Sequence, residues 1–350
     1  MNSFVDLERL LGAVPSSVVM TLRVIDRGQG SEGLFRNQVP DLLTELADRA
    51  RVSSITASSA MEGVVVKNRS RAQAIIANKD VVLRTRSEQE LAGYRAALDY
   101  LFGNDWKPLN VGLILHVHRL LFAETRGAGG SFKASDNLVV DRSPEGLQTV
   151  RFEPVPAART EYYTADLVER YAVATTSQQH HPVLLVGLFI LDLLVIHPFD
   201  DGNGRVARAL TNALLIESGY GVGRYVSLEQ LVAESADEYY QALLASTHGW
   251  HDRDHDPWPW LRYFSAVLAR GYARFAEGVA GDRSGTTKAH RVREHVLHHG
   301  APIFAIADIR AALPGISDPT IRLVLNGLRD EGLLKPQGTG RSAVWVRVSG

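Results

Sequence analysis

Apolar residues return every three or four positions over nine stretches, 4–11, 38–57, 87–102, 110–123, 161–175, 184–196, 205–217, 235–246 and 258–277, the spacing of one helix face. The body of the chain is therefore expected to be mainly α. One interval breaks the rhythm: "SFKASDNLVVDRSPEGLQTVRFEPVP" (131–156) alternates apolar and polar residues about a Pro-Glu-Gly turn, which is a hairpin pattern. A lone hairpin among helices reads as a surface flap. The most apolar run, "PVLLVGLFILDLLVI" (182–196), is interrupted by Asp192 and falls short of the ~20 residues a membrane helix needs. It reads as a buried core helix, and no membrane partner is expected.

The texture changes at "GVAGDRSGTTK" (278–288), rich in Gly, Ser and Thr, so a linker is placed at 279–288. Beyond it, 289–350 reads as helix (289–299), a short apolar stretch, helix (305–312), "PGISD", helix (318–331) and two β-like runs joined by Gly-Thr-Gly. That is the order of a winged helix-turn-helix. A main domain with such an appendage suits 350 residues. The net charge of -1 gives no whole-molecule attraction for nucleic acid or membrane. The tail is nevertheless the basic end, with nine basic against five acidic side chains from Lys288 to Arg347. Its third helix, capped by Ser317 or Asp318 with Arg322 near its start, and Arg341 in the wing leave duplex DNA or a protein open as its partner. The absence of cysteine removes disulfides, thiolate catalysis and Cys-based metal sites, and suits a cytoplasmic location. The opening "MNSFVDLERLL" lacks the basic region of a signal peptide.

The chemistry concentrates in "IHPFDDGNGRVARAL" (196–210). Pro198 should end the preceding helix near Ile196 and leave His197 at its tip. Asp200–Gly204 then reads as a turn, with a new helix from about Arg205. Such a junction presents unpaired N–H groups and a positive dipole end, an anion site. Arg205 and Arg208 are cations in the first turn of that helix, each unfavourable by roughly 0.3–1 kcal/mol. A phosphate-rich ligand would justify both, because guanidinium forks match phosphate oxygens. Asp200 and Asp201 offer carboxylate oxygen for Mg²⁺ bridged to nucleotide phosphates, and His197 can take a proton near neutral pH. Singly, His197 reads as a structural helix-end histidine sooner than as a base and Asp200 as a solvated turn residue or N-cap; together they have the parts of a phosphoryl or nucleotidyl transfer site.

The same residues fill every specified position of H-P-F-x-[DE]-G-N-G-R-x-x-R, and the chain from about 40 to 280 resembles the Fic family. The resemblance implies a Fic-type helical core with a β-hairpin flap, organised as an N-terminal helical region (1–103), a catalytic core (104–278), the linker and the winged-helix tail. It implies transfer of AMP from ATP to a Tyr, Thr or Ser hydroxyl of a target protein held at the flap. His197 would be the base, Asp201 the Mg²⁺ ligand, and Gly202, Asn203 and Gly204 a phosphate cradle of backbone and amide donors. Arg205 and Arg208 would hold the β- and γ-phosphates, and Phe199 would anchor the loop. Lys133 stands where the family often has Arg, and Leu194 where it often has Glu. The pocket residues leave open transfer or removal of another phosphate-containing group. A DNA-binding regulator using the Fic body as a nucleotide sensor, and a homodimer, are also open.

Upstream, the periodic residues from Leu42 to Met61 predict a helix ending at Gly63. Glu62 then sits at its negative end, where an acid is unfavourable. "SSAMEG" resembles the family's inhibitory motif [ST]-x-x-x-E-[GN], matched by Ser58, Glu62 and Gly63. By that resemblance Glu62 would pair with Arg208 and keep ATP from its productive position. A second cluster, His248, His251 and His255 among aspartates, lies next to Pro257, which argues against a regular helix bringing them together. It reads as a solvated loop.

Overall fold

In the computed structural model, which describes residues 3–38, 40–103, 106–127, 129–142, 148–283, 288–299, 302–338 and 344–348, the chain divides into two units. One is Met1–Val39 with Leu46–Phe275, the other Pro40–Glu45 with Ala276–Gly350. The first is built from α1 (Leu7–Leu11), α2 (Ser16–Gln38), α3 (Pro40–Met61), α4 (Arg69–Ile76), α5 (Arg86–Phe102) and α6 (Val111–Phe122), then the strands β1 (Val139–Arg142) and β2 (Gln148–Phe152). It continues with α7 (Ala157–Ser177), α8 (Pro182–Ile196), α9 (Asn203–Glu217), α10 (Leu228–Ala233), α11 (Ala236–Thr247) and α12 (Trp258–Arg283). The first residues of α3 and the last of α12 belong to the other unit.

Helix α8 is the axis of the first unit. From Val183 to Ile196 every side chain except Leu194 is buried, and α7, α9 and α11 pack around it. A helix buried on all faces has no use for an amphipathic stripe, and the acid within it needs partners. Asp192 is fully buried and accepts hydrogen bonds from Ser3 N and Ser3 Oγ, both at 2.6 Å, and from Trp250 Nε1 at 2.7 Å. Burial still pushes its carboxyl up to about 6. Ser3 Oγ also lies 2.9 Å from His255 Nε2. The 248–257 segment is solvated at His248, His251, Asp252, Arg253, Asp254 and Asp256, but Trp250 and His255 are buried, Trp250 on Asp192 and His255 on Ser3.

Several boundaries differ from expectation. Helix α2 was not legible, because Gly28, Gly30 and Gly33 interrupt it and its Val19, Met20 and Val24 are exposed, so no clean stripe forms. Helix α9 starts at Asn203, two residues early. Helix α12 runs to Arg283, into the expected linker 279–288, because Val279 is buried and carries the helix past Gly278. The N-terminal region 1–103 is not separate from the core 104–278: α5 packs on both α6 and α9. The flap is antiparallel, with Val139 opposite Phe152 and an irregularity before Val140; its Pro-Glu-Gly turn lies outside the described residues.

The second unit contains α13 (Lys288–Glu294), β3 (Ile303–Phe304), α14 (Ile306–Ala312), α15 (Asp318–Asp330), β4 (Leu334–Gln337) and β5 (Val344–Arg347). Its antiparallel sheet has the order β3-β5-β4. Val292, Val296, Phe304, Ile309, Ile316, Ile321, Leu325, Leu328 and Leu334 form its core. Arg341 lies outside the described residues. Among the described residues no helix is long and apolar enough to cross a membrane.

Candidate active site

Pro198 ends α8, and His197 takes the left-handed conformation beyond it, φ 51°. Its N–H still reaches Leu193 O at 3.0 Å. Its Nδ1 lies 3.2 Å from Leu194 O, so the ring proton sits there and Nε2 keeps its lone pair. Burial pushes the imidazole down to about 4, which leaves it neutral at pH 7. The turn that follows is closed by Asn203, whose Oδ1 accepts from Phe199 N at 2.9 Å and whose Nδ2 donates to Phe199 O at 2.7 Å. Both ends of that amide thus help to hold the turn, and one of the two Nδ2 hydrogens is left over. Phe199 is fully buried within the turn. Gly202 adopts φ +83°, and a Cβ there would press against the Phe122 ring.

The carbonyls of this segment also draw donors from outside it. Lys133 N donates to Pro198 O at 2.9 Å and Lys133 Nζ lies 3.4 Å from Ile196 O. Asn137 Nδ2 donates to Phe199 O at 3.2 Å, and His118 Nε2 lies 3.1 Å from Asp201 O. The N–H groups of the first turn of α9, at Asn203, Gly204 and Arg205, have no intrahelical acceptors and form the anion-binding end. Lys133, expected only as a departure from Arg, is buried and caps the end of α8 as a cation there should. Asn137 and His118 carried no signal beyond being polar residues within an otherwise apolar pattern.

The two arginines part company. Arg208 is buried, with Nε donating to Ser58 Oγ at 2.8 Å and Nη2 to Ser58 O at 3.0 Å and Glu62 Oε1 at 2.7 Å. Burial, the largest single influence, lowers its pKa, but the charge and hydrogen bond of Glu62 together with the nearby Tyr239 and Tyr94 outweigh it and the net shift is upward. Helix α3 stops in time to deliver that carboxylate, because Gly63 turns left-handed, φ +74°, and Val64 N bonds back to Ser59 O. Glu62 Oε1 lies so close over Gly204 that a Cβ there would collide with it. One and two turns earlier on the same face stand Ser58 and Ser54. Ser54 Oγ donates to Glu229 Oε2 at 2.7 Å, and Glu229, itself buried, also accepts from Asn212 Nδ2 at 2.8 Å and Tyr94 OH at 3.2 Å.

Arg205, by contrast, is 1% exposed. Its Nη1 donates to Glu90 Oε2 on α5 at 2.6 Å, its guanidinium lies over the Phe122 ring, and Nη2 is 3.4 Å from Asp201 Oδ1. The cation that a phosphate was expected to justify is justified by a buried carboxylate. Asp201 is half exposed; its Oδ1 accepts from Gly202 N at 2.6 Å and its Oδ2 lies 3.5 Å from Arg86 Nη2. No three His, Asp or Glu side chains among the described residues are grouped for a metal. A single exposed carboxylate suits Mg²⁺ that takes its remaining ligands from water and phosphates.

A cleft of about 550 Å³ joins the parts. Glu62, His197, Gly204 and Arg208 line one end; Leu138, Val139 and Phe152 of the flap region, Leu194, and Tyr239, Tyr240, Leu243, Leu244 and Thr247 of α11 complete it. Neither Arg205 nor Asp201 lines it. The arrangement therefore offers a neutral imidazole, an N–H cradle and one arginine, with a carboxylate across that arginine.

Residues 108–215 match the Fic/DOC family, narrower than the 40–280 suggested by the sequence. A protein adenylyltransferase Fic of Nematostella vectensis is 33% identical over 92 residues, 26% of this chain and 18% of that protein. The protein adenylyltransferase and cysteine protease IbpA of Histophilus somni is 26% identical over 190 residues, 53% of this chain and 4% of that protein. The chain thus spans less than a fifth of either relative. In fold it is similar to a Fic family protein from Desulfovibrio desulfuricans, with TM-score 0.60, 21% identity, and coverage of 97% of this chain and 98% of that one. A Fic domain protein from Bacteroides thetaiotaomicron gives TM-score 0.58 at 19% identity, over 76% of this chain and 97% of that one. With its signature loop bounded by α8 and α9, the chain carries a Fic/DOC family domain over residues 108–215.

Proposed function

We propose that this chain is an autoinhibited protein adenylyltransferase that moves AMP from ATP to a Tyr, Thr or Ser hydroxyl of a target protein. The observation that carries the reading is the meeting, in one cleft, of His197, the first turn of α9 and Arg208, with Glu62 paired to that arginine. The hydroxyl proton passes to His197 Nε2 as the hydroxyl oxygen attacks the α-phosphorus. The new P–O bond replaces the bond to the β-phosphate, and pyrophosphate leaves. The N–H groups at Asn203, Gly204 and Arg205 face the anionic phosphates, and Arg208, once freed, takes the terminal phosphate. Mg²⁺ held by Asp201 would neutralise charge on the phosphates. Arg205 acts through Asp201 rather than on phosphate. Tyr239, Tyr240, Leu243 and Leu244 supply the apolar wall that a nucleobase needs.

Glu62 is the brake, and Ser58 and Gly63 place it. The flap edge, β1 and β2, would receive an extended segment of the target by strand addition, which tolerates varied sequences. The tail is read as a winged helix with α14 and α15 as its helix-turn-helix. Arg293, Arg310 and Arg329 already pair with Glu331, Asp318 and Asp330, so a DNA backbone would have to displace acids there. A salt-dependent shift of duplex DNA by the full chain separates that partner from a protein one.

The test is transfer from α-labelled ATP with Mg²⁺ into a cell lysate by wild type, Glu62→Gly and Glu62→Gly/His197→Ala. Label is expected with Glu62→Gly and at background without His197. Equal labelling by wild type and Glu62→Gly would remove the brake; tight ATP binding with no label in any lane would favour a sensor or a group-removing enzyme.

A further inference from the structure

We infer that His118 is a positioning residue that sets two parts of the site at once: Asp201, and the glycines from which the flap segment departs. The inference rests on the proposed transfer and names a residue outside its signature. His118 lies on α6, 5% exposed. Gly130 N donates to its Nδ1 at 2.8 Å. A nitrogen that accepts carries no proton, so the proton sits on Nε2 and is donated to Asp201 O, 3.1 Å away. The tautomer is fixed by its surroundings, and both nitrogens are engaged. The ring also stacks on Phe199 with centroids 3.7 Å apart and planes 5° from parallel, while Phe122 meets it edge-on. One imidazole thus holds the loop by a ring face and a carbonyl, and holds the start of the flap segment by an N–H.

The Asp201 carbonyl matters because the same residue turns its carboxylate back onto Gly202 N. A peptide fixed at its carbonyl directs its side chain; one left free can rotate and carry the carboxylate away from the phosphates. Gly130 sits at φ +88°, a conformation that leaves the 131–138 segment dependent on what grips its N–H.

The test uses the full chain carrying Glu62→Gly. His118→Phe keeps a ring for stacking and loses both hydrogen bonds. His118→Gln places an amide N–H within reach of Asp201 O; His118→Asn places an amide oxygen near Gly130 N. Loss of an outer hydrogen bond of this kind weakens metal affinity about tenfold or more. We expect His118→Phe to raise the Mg²⁺ concentration for half-maximal transfer about tenfold and to raise the KM for target, with His118→Gln restoring the first and not the second. Calorimetry of Mg²⁺-dependent ATP binding, with His197→Ala added, reads the Asp201 arm without any transfer. If Glu62→Gly itself transfers nothing, the functional reading fails, and calorimetry still decides the inference. A folded His118→Phe with unchanged Mg²⁺ dependence and target KM overturns it, as does a Gln variant no better than Phe. Should Phe fail to fold, Gln and Asn behaving alike in both readouts overturns it equally.

Discussion

At the scale of residues, the site runs on neutral imidazoles and buried ion pairs. His197 is pushed down to about 4 by burial, so the proposed base is already deprotonated at neutral pH. The transfer rate of the Glu62→Gly protein should therefore stay flat from pH 8 to pH 6, where an ordinary histidine would cost activity near 6.5; a pH–rate profile checks this. The same shifts govern stability. His118, His197 and His255 each fall from 6.5 to about 4, so the folded form resists protonation that the unfolded form accepts. Their stabilisation is complete above 6.5 and is lost as pH falls through 4. Asp192, raised from 3.8 to about 6, runs the other way, its folded form keeping a proton that the unfolded form has lost. From these four groups unfolding near pH 5 should take up on the order of two protons, measurable as the slope of stability against pH; a flat slope would contradict the burial of these rings. Glu90→Gln is expected to destabilise the protein by about 3–5 kcal/mol, because it leaves Arg205 buried without its main counter-charge, and thermal unfolding would register it. The sequence located these arginines but not their division of labour. Glu90 is 115 residues from Arg205, and nothing in local spacing announces such a partner.

At the scale of elements, the proposed brake is a helix face rather than one residue. Ser54 and Ser58 on α3 and Glu62 just past its end recur every four positions, and each finds a polar partner on α9 or α10. Removing Ser54 leaves Glu229 short of a donor inside the core. Ser54→Ala should raise basal transfer about tenfold with Glu62 intact, in keeping with loss of a hydrogen bond to a charged group. Combined with Glu62→Gly it should add nothing; additivity in that double variant would show the two contacts to be independent. Ser58, Glu62 and Gly63 were legible because cap and motif coincide at one helix end. Ser54 was not, since a serine on an otherwise apolar helix face looks like any small core residue. Helix α9 was legible apart from its first turn, where Asn203 spends its side chain on closing the loop. Helix α2 was illegible because a helix with one face exposed and three glycines gives no stripe.

Across the whole molecule, the helical body, the flap strands and the composition break near the tail could all be read from pattern. What pattern could not give was closure. Ser3 on Asp192, and Trp250 on the same acid, join the beginning, middle and later part of the first unit, and no window of neighbouring residues contains that information. These contacts imply an order in time. As the chain leaves the ribosome, α3 with Glu62 is complete well before Arg208 appears, and α8 cannot be sealed until Trp250 follows. Domains generally fold as units during synthesis, so every new molecule would meet its proposed brake as the candidate cleft first takes shape.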